Sequence, residues 1–131
     1  MNNKNIKQTK KNKKLFYNKN QDLVNLFELR GGHDRVVKIE EVEDEFGISN
    51  RNARDKISEM SMYYAIISLT QEKGYELLGD INNYTDEEIL KNIEKINHQI
   101  NDFQSRISVL KKRMKPLIAW KKVAEKHLKD E

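Results

Sequence analysis

The run Glu45-Phe46-Gly47-Ile48-Ser49-Asn50-Arg51-Asn52-Ala53-Arg54-Asp55-Lys56-Ile57 decides the reading of this chain. It describes a helix that ends, a turn of three to four residues, and a second helix. Gly47 stands where a helix must stop and the chain must turn, a place for a residue free to take positive φ. Ser49 stands where the next helix needs an N-cap, because its hydroxyl can accept from a first-turn N–H. Val42, Phe46, Ile48, Ala53 and Ile57 fall at the apolar positions such a pair must bury. Ala53 is small and lets two helices cross closely. Asn50, Arg51, Asn52, Arg54, Asp55 and Ser58 are then left facing outward. Arg and Asn can make bidentate contacts to guanine and adenine edges.

Downstream lies an apolar β-rich run, Ala65-Ile66-Ile67-Ser68-Leu69. A Gly-containing turn, Thr70-Gln71-Glu72-Lys73-Gly74, and a second β-rich run, Tyr75-Glu76-Leu77-Leu78, follow it. Helix, turn, helix and hairpin in this order form the winged-helix pattern, with Lys73 at the tip of the wing. Upstream, Leu23, Leu26 and Phe27 predict a helix over 22–30, stopped by Gly31-Gly32. Val36-Val37-Lys38-Ile39 can form a short strand that pairs with the wing. The winged domain is expected over residues 21–79.

Composition sets outer bounds. A chain of 131 residues, 35% of them charged and 37% apolar, holds one small domain and accessory segments. It has no cysteine, hence no disulfide framework and no thiolate nucleophile or metal ligand. No apolar run approaches the length of a membrane span, and no apolar segment follows the basic N-terminus as a secretory signal requires. A cytoplasmic location is expected.

The net charge of +4 conceals an asymmetry. Residues 1–21 carry seven lysines and no acid. Residues 22–84 carry seven basic and thirteen acidic side chains, a net of −6. Residues 85–131 carry eleven basic and eight acidic, a net of +3. Much of the acid in the middle segment clusters at Glu40, Glu41, Glu43, Asp44 and Glu45, on the helix before the turn. Residues 1–20, Asn/Lys-rich and without periodicity before Leu15-Phe16-Tyr17, read as a flexible basic arm. Lys10, Lys11, Lys13 and Lys14 are its candidate DNA-contacting residues. A solvated tail with no role is the alternative.

Thr85-Asp86-Glu87-Glu88 reads as a capping box opening a long helix. From there Ile89, Ile93, Ile96, Ile100, Phe103, Ile107, Leu110, Met114 and Leu117 recur at alternating intervals of four and three residues. That is an unbroken coiled-coil seam. Residues 85–131 are therefore expected to be an oligomerisation segment forming a homodimer, the alternative being a helix folded back over its own winged domain. Pro116 should kink or stop the helix, with a second short helix carrying Ile118, Trp120 and Val123 behind it.

The residues from Leu29 to Gly79 resemble the small winged-helix proteins carried by phages and prophages of low-GC Gram-positive bacteria. The resemblance lies in Leu29-Arg30-Gly31-Gly32, Val37-Lys38-Ile39-Glu40-Glu41, Gly47-Ile48-Ser49-Asn50-Arg51 and Lys73-Gly74-Tyr75-Glu76-Leu77-Leu78. It implies a DNA-binding protein of a mobile element, a transcriptional regulator or a replication-associated factor. Those proteins often carry a second basic residue after the one matching Arg54, where this chain has Asp55.

The expected fold class is mainly α with a small β-hairpin: a winged helix-turn-helix followed by a long C-terminal coiled-coil-type helix. The expected partner is double-stranded DNA, met by Ser49, Asn50, Arg51, Asn52, Arg54 and Lys73. A protein-interaction module that binds a host or phage protein is the rival. Enzymatic chemistry finds little support: His33, His98 and His127 are far apart and no Gly-rich phosphate loop is present. No cofactor or metal is expected.

Overall fold

A computed structural model describes residues 3–30, 36–69 and 74–130, with side chains from Lys10 onward. The chain forms two compact units, Met1–Thr85 and Asp86–Glu131.

The first unit is mainly helical with one small sheet. Its helices are α1 (Asn3–Lys19), α2 (Gln21–Glu28), α3 (Ile39–Phe46) and α4 (Asn50–Met60). Its strands are β1 (Val36–Lys38), β2 (Ile66–Leu69) and β3 (Gly74–Leu77). All pairing is antiparallel, in the order β1-β3-β2. The strand before α3 therefore lies beside the second strand of the hairpin, as the apolar run at Val36 predicted. Val37 faces Tyr75 across one ladder and Ser68 faces Tyr75 across the other.

α3 ends as the sequence predicts. Gly47 takes the left-handed conformation, φ 60° and ψ 41°, and its N–H reaches back to the Glu43 carbonyl. A side chain in that conformation costs about 1–2 kcal/mol, which glycine avoids. At the other end of α3 the Glu41 carboxylate accepts from the Lys38 N–H at 3.4 Å, the reaching-back half of a capping box. The Lys38 ammonium has no lone pair and cannot supply the other half. Glu41 also pairs with Arg30, tying the start of α3 to the chain just after α2.

The core draws on all four helices and on β1 and β2, with Ile66 coming from β2. Leu23, Val24 and Phe27 come from α2, Val37 from β1, Ile39 and Val42 from α3, and Ala53, Ile57 and Met60 from α4. Phe46 and Ile48 pack on it half-buried, so the residues flanking the turn rim the core. Phe16 belongs to the core as well and is only 4% exposed.

Phe16 ties the end of the segment expected as a flexible arm to this core. The N-terminal segment is helical from Asn3 to Lys19, and its C-terminal end is anchored. The Phe16 ring lies 5.5 Å from that of Tyr63 and 6.3 Å from that of Tyr64. Lys and Gln are good helix formers, and α1 holds neither Gly nor Pro, so the backbone has no obstacle to helix. Apolar periodicity is not needed where one aromatic supplies the docking.

Gly74 requires a correction. It is not a turn residue but the first residue of β3, paired with Lys38 on one side and Leu69 on the other. A Cβ there would lie 2.5 Å from Val36 Cγ1 and 3.0 Å from the Val37 carbonyl oxygen. The glycine is required by the close approach of β1.

The second unit is one helix, α5 (Asp86–Lys129), of 44 residues. Three acids, Asp86, Glu87 and Glu88, occupy its first turn and complement the helix dipole. The helix does not stop at Pro116, and no second helix begins behind it. Proline deprives the Lys112 carbonyl of its i+4 donor. On a helix with no buried residue that carbonyl is open to water. Helix formers on both sides of Pro116 carry the α conformation through.

Candidate nucleic-acid interface

α4 is placed by its own buried stripe. Ala53 and Met60 are fully buried and Ile57 nearly so, which turns the opposite side of the helix outward. At about 100° per residue, Arg51, Asp55 and Ser58 lie opposite that stripe, with Arg54 and Asn52 on its two flanks. All five are exposed. Ser49 caps the helix, its hydroxyl accepting from the Asn52 N–H at 3.2 Å. The structure thus brings Ser49, Asn50, Arg51, Asn52 and Arg54 together on one helical turn and a half. Lys73 lies outside the described residues.

The face also contains a contact that sequence reasoning did not find. Asn50 Nδ2 donates to Glu43 Oε1 at 2.7 Å, and Arg54 Nε donates to Asn50 Oδ1 at 2.7 Å. Asn50 is therefore a bridge, with its amide spent on an acid of α3 and a base of α4. The Asn50–Arg54 half was legible from the i,i+4 spacing. The Glu43 half needs the angle at which α3 meets α4.

Lys10, Lys11, Lys13 and Lys14 are exposed along α1. By helical geometry Lys10, Lys11 and Lys14 share an arc of about 100°, on the side of α1 opposite Phe16. Lys13 points elsewhere: its Nζ sits 4.5 Å from the centre of the Tyr64 ring, a cation–π contact. Burial pushes the Tyr64 phenol up from its ordinary value, and the negative charge of Glu28 and the phenol of Tyr17 add to the effect.

The apolar stripe of α5 is partly exposed from Ile89 to Leu117, and Leu117 keeps 72% of its surface. Ile93, Ile100, Phe103, Ile107, Leu110 and Met114 keep between 45% and 51% of their surface. Ile89 and Ile96 are intermediate.

Among the described residues no group of three His, Cys, Asp or Glu side chains could hold a metal ion. No described helix is long and apolar enough to cross a membrane. Comparison with protein-family models, curated proteins and solved structures finds no match to this chain.

Proposed function

We propose that the Met1–Thr85 unit is a winged-helix domain that binds double-stranded DNA. Its α4 is the helix presented to the major groove, and α5 joins two copies of the chain. The role that fits the resemblance to phage and prophage proteins is transcriptional regulation or replication of a mobile element. This is binding without catalysis.

One observation carries the reading. The helix after a three-residue glycine turn buries Ala53, Ile57 and Met60 and holds Arg51, Asn52 and Arg54 outward, and an antiparallel hairpin follows it. In this reading Arg51 and Arg54 make groove contacts, and the Ser49–Asn52 turn lies at the backbone. The lysines of α1 add sequence-independent attraction to phosphates.

A second reading is favoured by charge. Residues 22–84 are net −6, Asp55 stands beside Arg51 on the outward face, and Glu43 occupies Asn50. The acidic surface of residues 22–84, taken apart from the lysines of α1, suits a basic protein partner better than a polyanion.

A selection against genome fragments at defined salt, followed by fluorescence anisotropy, separates the two. For DNA binding, Arg51→Ala and Arg54→Ala should each cost about 1–3 kcal/mol on the selected site and relax preference at one base position. No enrichment of any fragment, or unchanged affinity in both variants, refutes the DNA reading.

A further inference from the structure

The half-exposed seam of α5 is polarised along its axis. Residues 86–105 carry five acids and two bases, and residues 106–129 carry nine bases and one acid. One half of the helix is therefore net −3 and the other net +8. We propose that α5 pairs with α5 of a second copy in antiparallel orientation. This rests on the reading of α5 as a dimer seam and adds its direction and register.

Charge decides the direction. A parallel pair sets +8 beside +8 at one end and −3 beside −3 at the other. An antiparallel pair sets each basic half beside an acidic one. The flanking positions agree. In the heptad frame, with Ile93, Ile100 and Ile107 at a, Arg106 is at g and Lys111 at e. A parallel dimer brings those two cations together twice, whereas the antiparallel register reached below separates them and leaves one like-charge contact, Arg106 against Arg106 at g. The same frame puts Leu90 and Ile118 at e, both exposed, at 64% and 44%. In an antiparallel coil e faces e, and these two apolar side chains meet across the interface.

That contact fixes the register. It sets Ile93 opposite Leu117 of the other copy, Ile100 opposite Leu110, and Phe103 opposite Ile107. Every seam residue from Ile93 to Leu117 is covered. The two points at which the chains pass into α5, at Asp86, then lie about 57 Å apart at 1.5 Å per residue. Half-sites one helical turn of DNA apart are separated by about 34–36 Å. The side-by-side presentation of two α4 helices that a palindromic site requires is not imposed by this dimer.

The chain has no native cysteine, which suits a cross-linking test. Ile93→Cys and Leu117→Cys are prepared singly and treated with a short bismaleimide, each alone and as an equal mixture allowed to exchange subunits. The antiparallel dimer gives cross-linked dimer in the mixture and almost none from either variant alone, because like positions lie about 36 Å apart. Efficient cross-linking of each variant alone means a parallel pair and overturns the proposal while leaving the dimer in place. Should either seam substitution dissociate the dimer by sedimentation, Leu90→Cys and Ile118→Cys flank the seam and take their place. No cross-link in any mixture of dimeric proteins overturns the register and α5 as the interface. A wild-type chain that sediments as a monomer at micromolar concentration overturns the dimer reading itself.

Discussion

Replacing Phe16 with Ala tests whether α1 belongs to the folded domain. The ring is 4% exposed and lies tilted against those of Tyr63 and Tyr64. A phenylalanine removes about 150–250 Å² from water, worth roughly 4–6 kcal/mol at about 25 cal/mol per Å². Part of that survives because the alanine and its neighbours relax, and core Phe→Ala changes cost about 3–5 kcal/mol. The site lies at the edge of the core, so about 3 kcal/mol is expected. For a domain of this size that lowers the melting temperature by roughly 12–24 °C. Leu15→Ala is the internal control: Leu15 is 48% exposed, and the change should stay below about 1 kcal/mol. Urea unfolding followed by circular dichroism measures both. Amide exchange should show α1 losing protection in the Phe16 variant before α3 and α4 do. A Phe16→Ala loss within about 0.5 kcal/mol of zero would show that α1 is not docked, and would restore the flexible arm.

Gly74→Ala should destabilise the first unit, by an amount comparable to overpacking elsewhere, about 1–3 kcal/mol, because the new methyl meets β-branched Val36 and a backbone carbonyl; thermal unfolding reads it, and a neutral result means β1 can move away freely. Glu43→Gln keeps an acceptor for Asn50 and removes a negative charge beside α4, so DNA affinity in anisotropy titrations should rise several-fold for all sequences alike; a fall would mean that the Glu43 charge organises the face. Tyr64 titrates above the ordinary tyrosine value of 10.0, so the folded chain holds its proton more tightly than the unfolded one. That contribution is complete below pH 10 and is lost as pH rises through the folded value. Tyr64→Phe should therefore flatten the alkaline limb of the stability curve, and an unaltered limb would remove Tyr64 as its source.

The parts of the fold that were legible in the sequence are those set by neighbours in the chain. Gly47, Ser49, Val42, Ala53 and Ile57 define a helix end, a cap and a buried stripe through local chemistry and a 3.6-residue period. The long C-terminal helix is legible for the same reason. What escaped depends on residues far apart in sequence. Phe16 docks on Tyr63 and Tyr64, and nothing within residues 1–20 announces that surface. Gly74 looks like turn chemistry until β1, more than thirty residues earlier, is laid against it. Pro116 does not end α5, because helix formers before and after it continue the same helix. At the candidate interface, the outward set from Ser49 to Arg54 was legible, but the hold of Glu43 on Asn50 was not.

That hold has a consequence for what the face can bind. Arg54 already has a neutral amide oxygen at 2.7 Å from its Nε. A guanidinium carries five N–H donors in a rigid planar fork, so this bond uses one and leaves the four on the two Nη atoms. A ligand at Arg54 therefore need not displace Asn50. The amide sets the plane of the fork, and the Nη edge it orients has the geometry that matches paired oxygens such as those of a phosphate or a carboxylate.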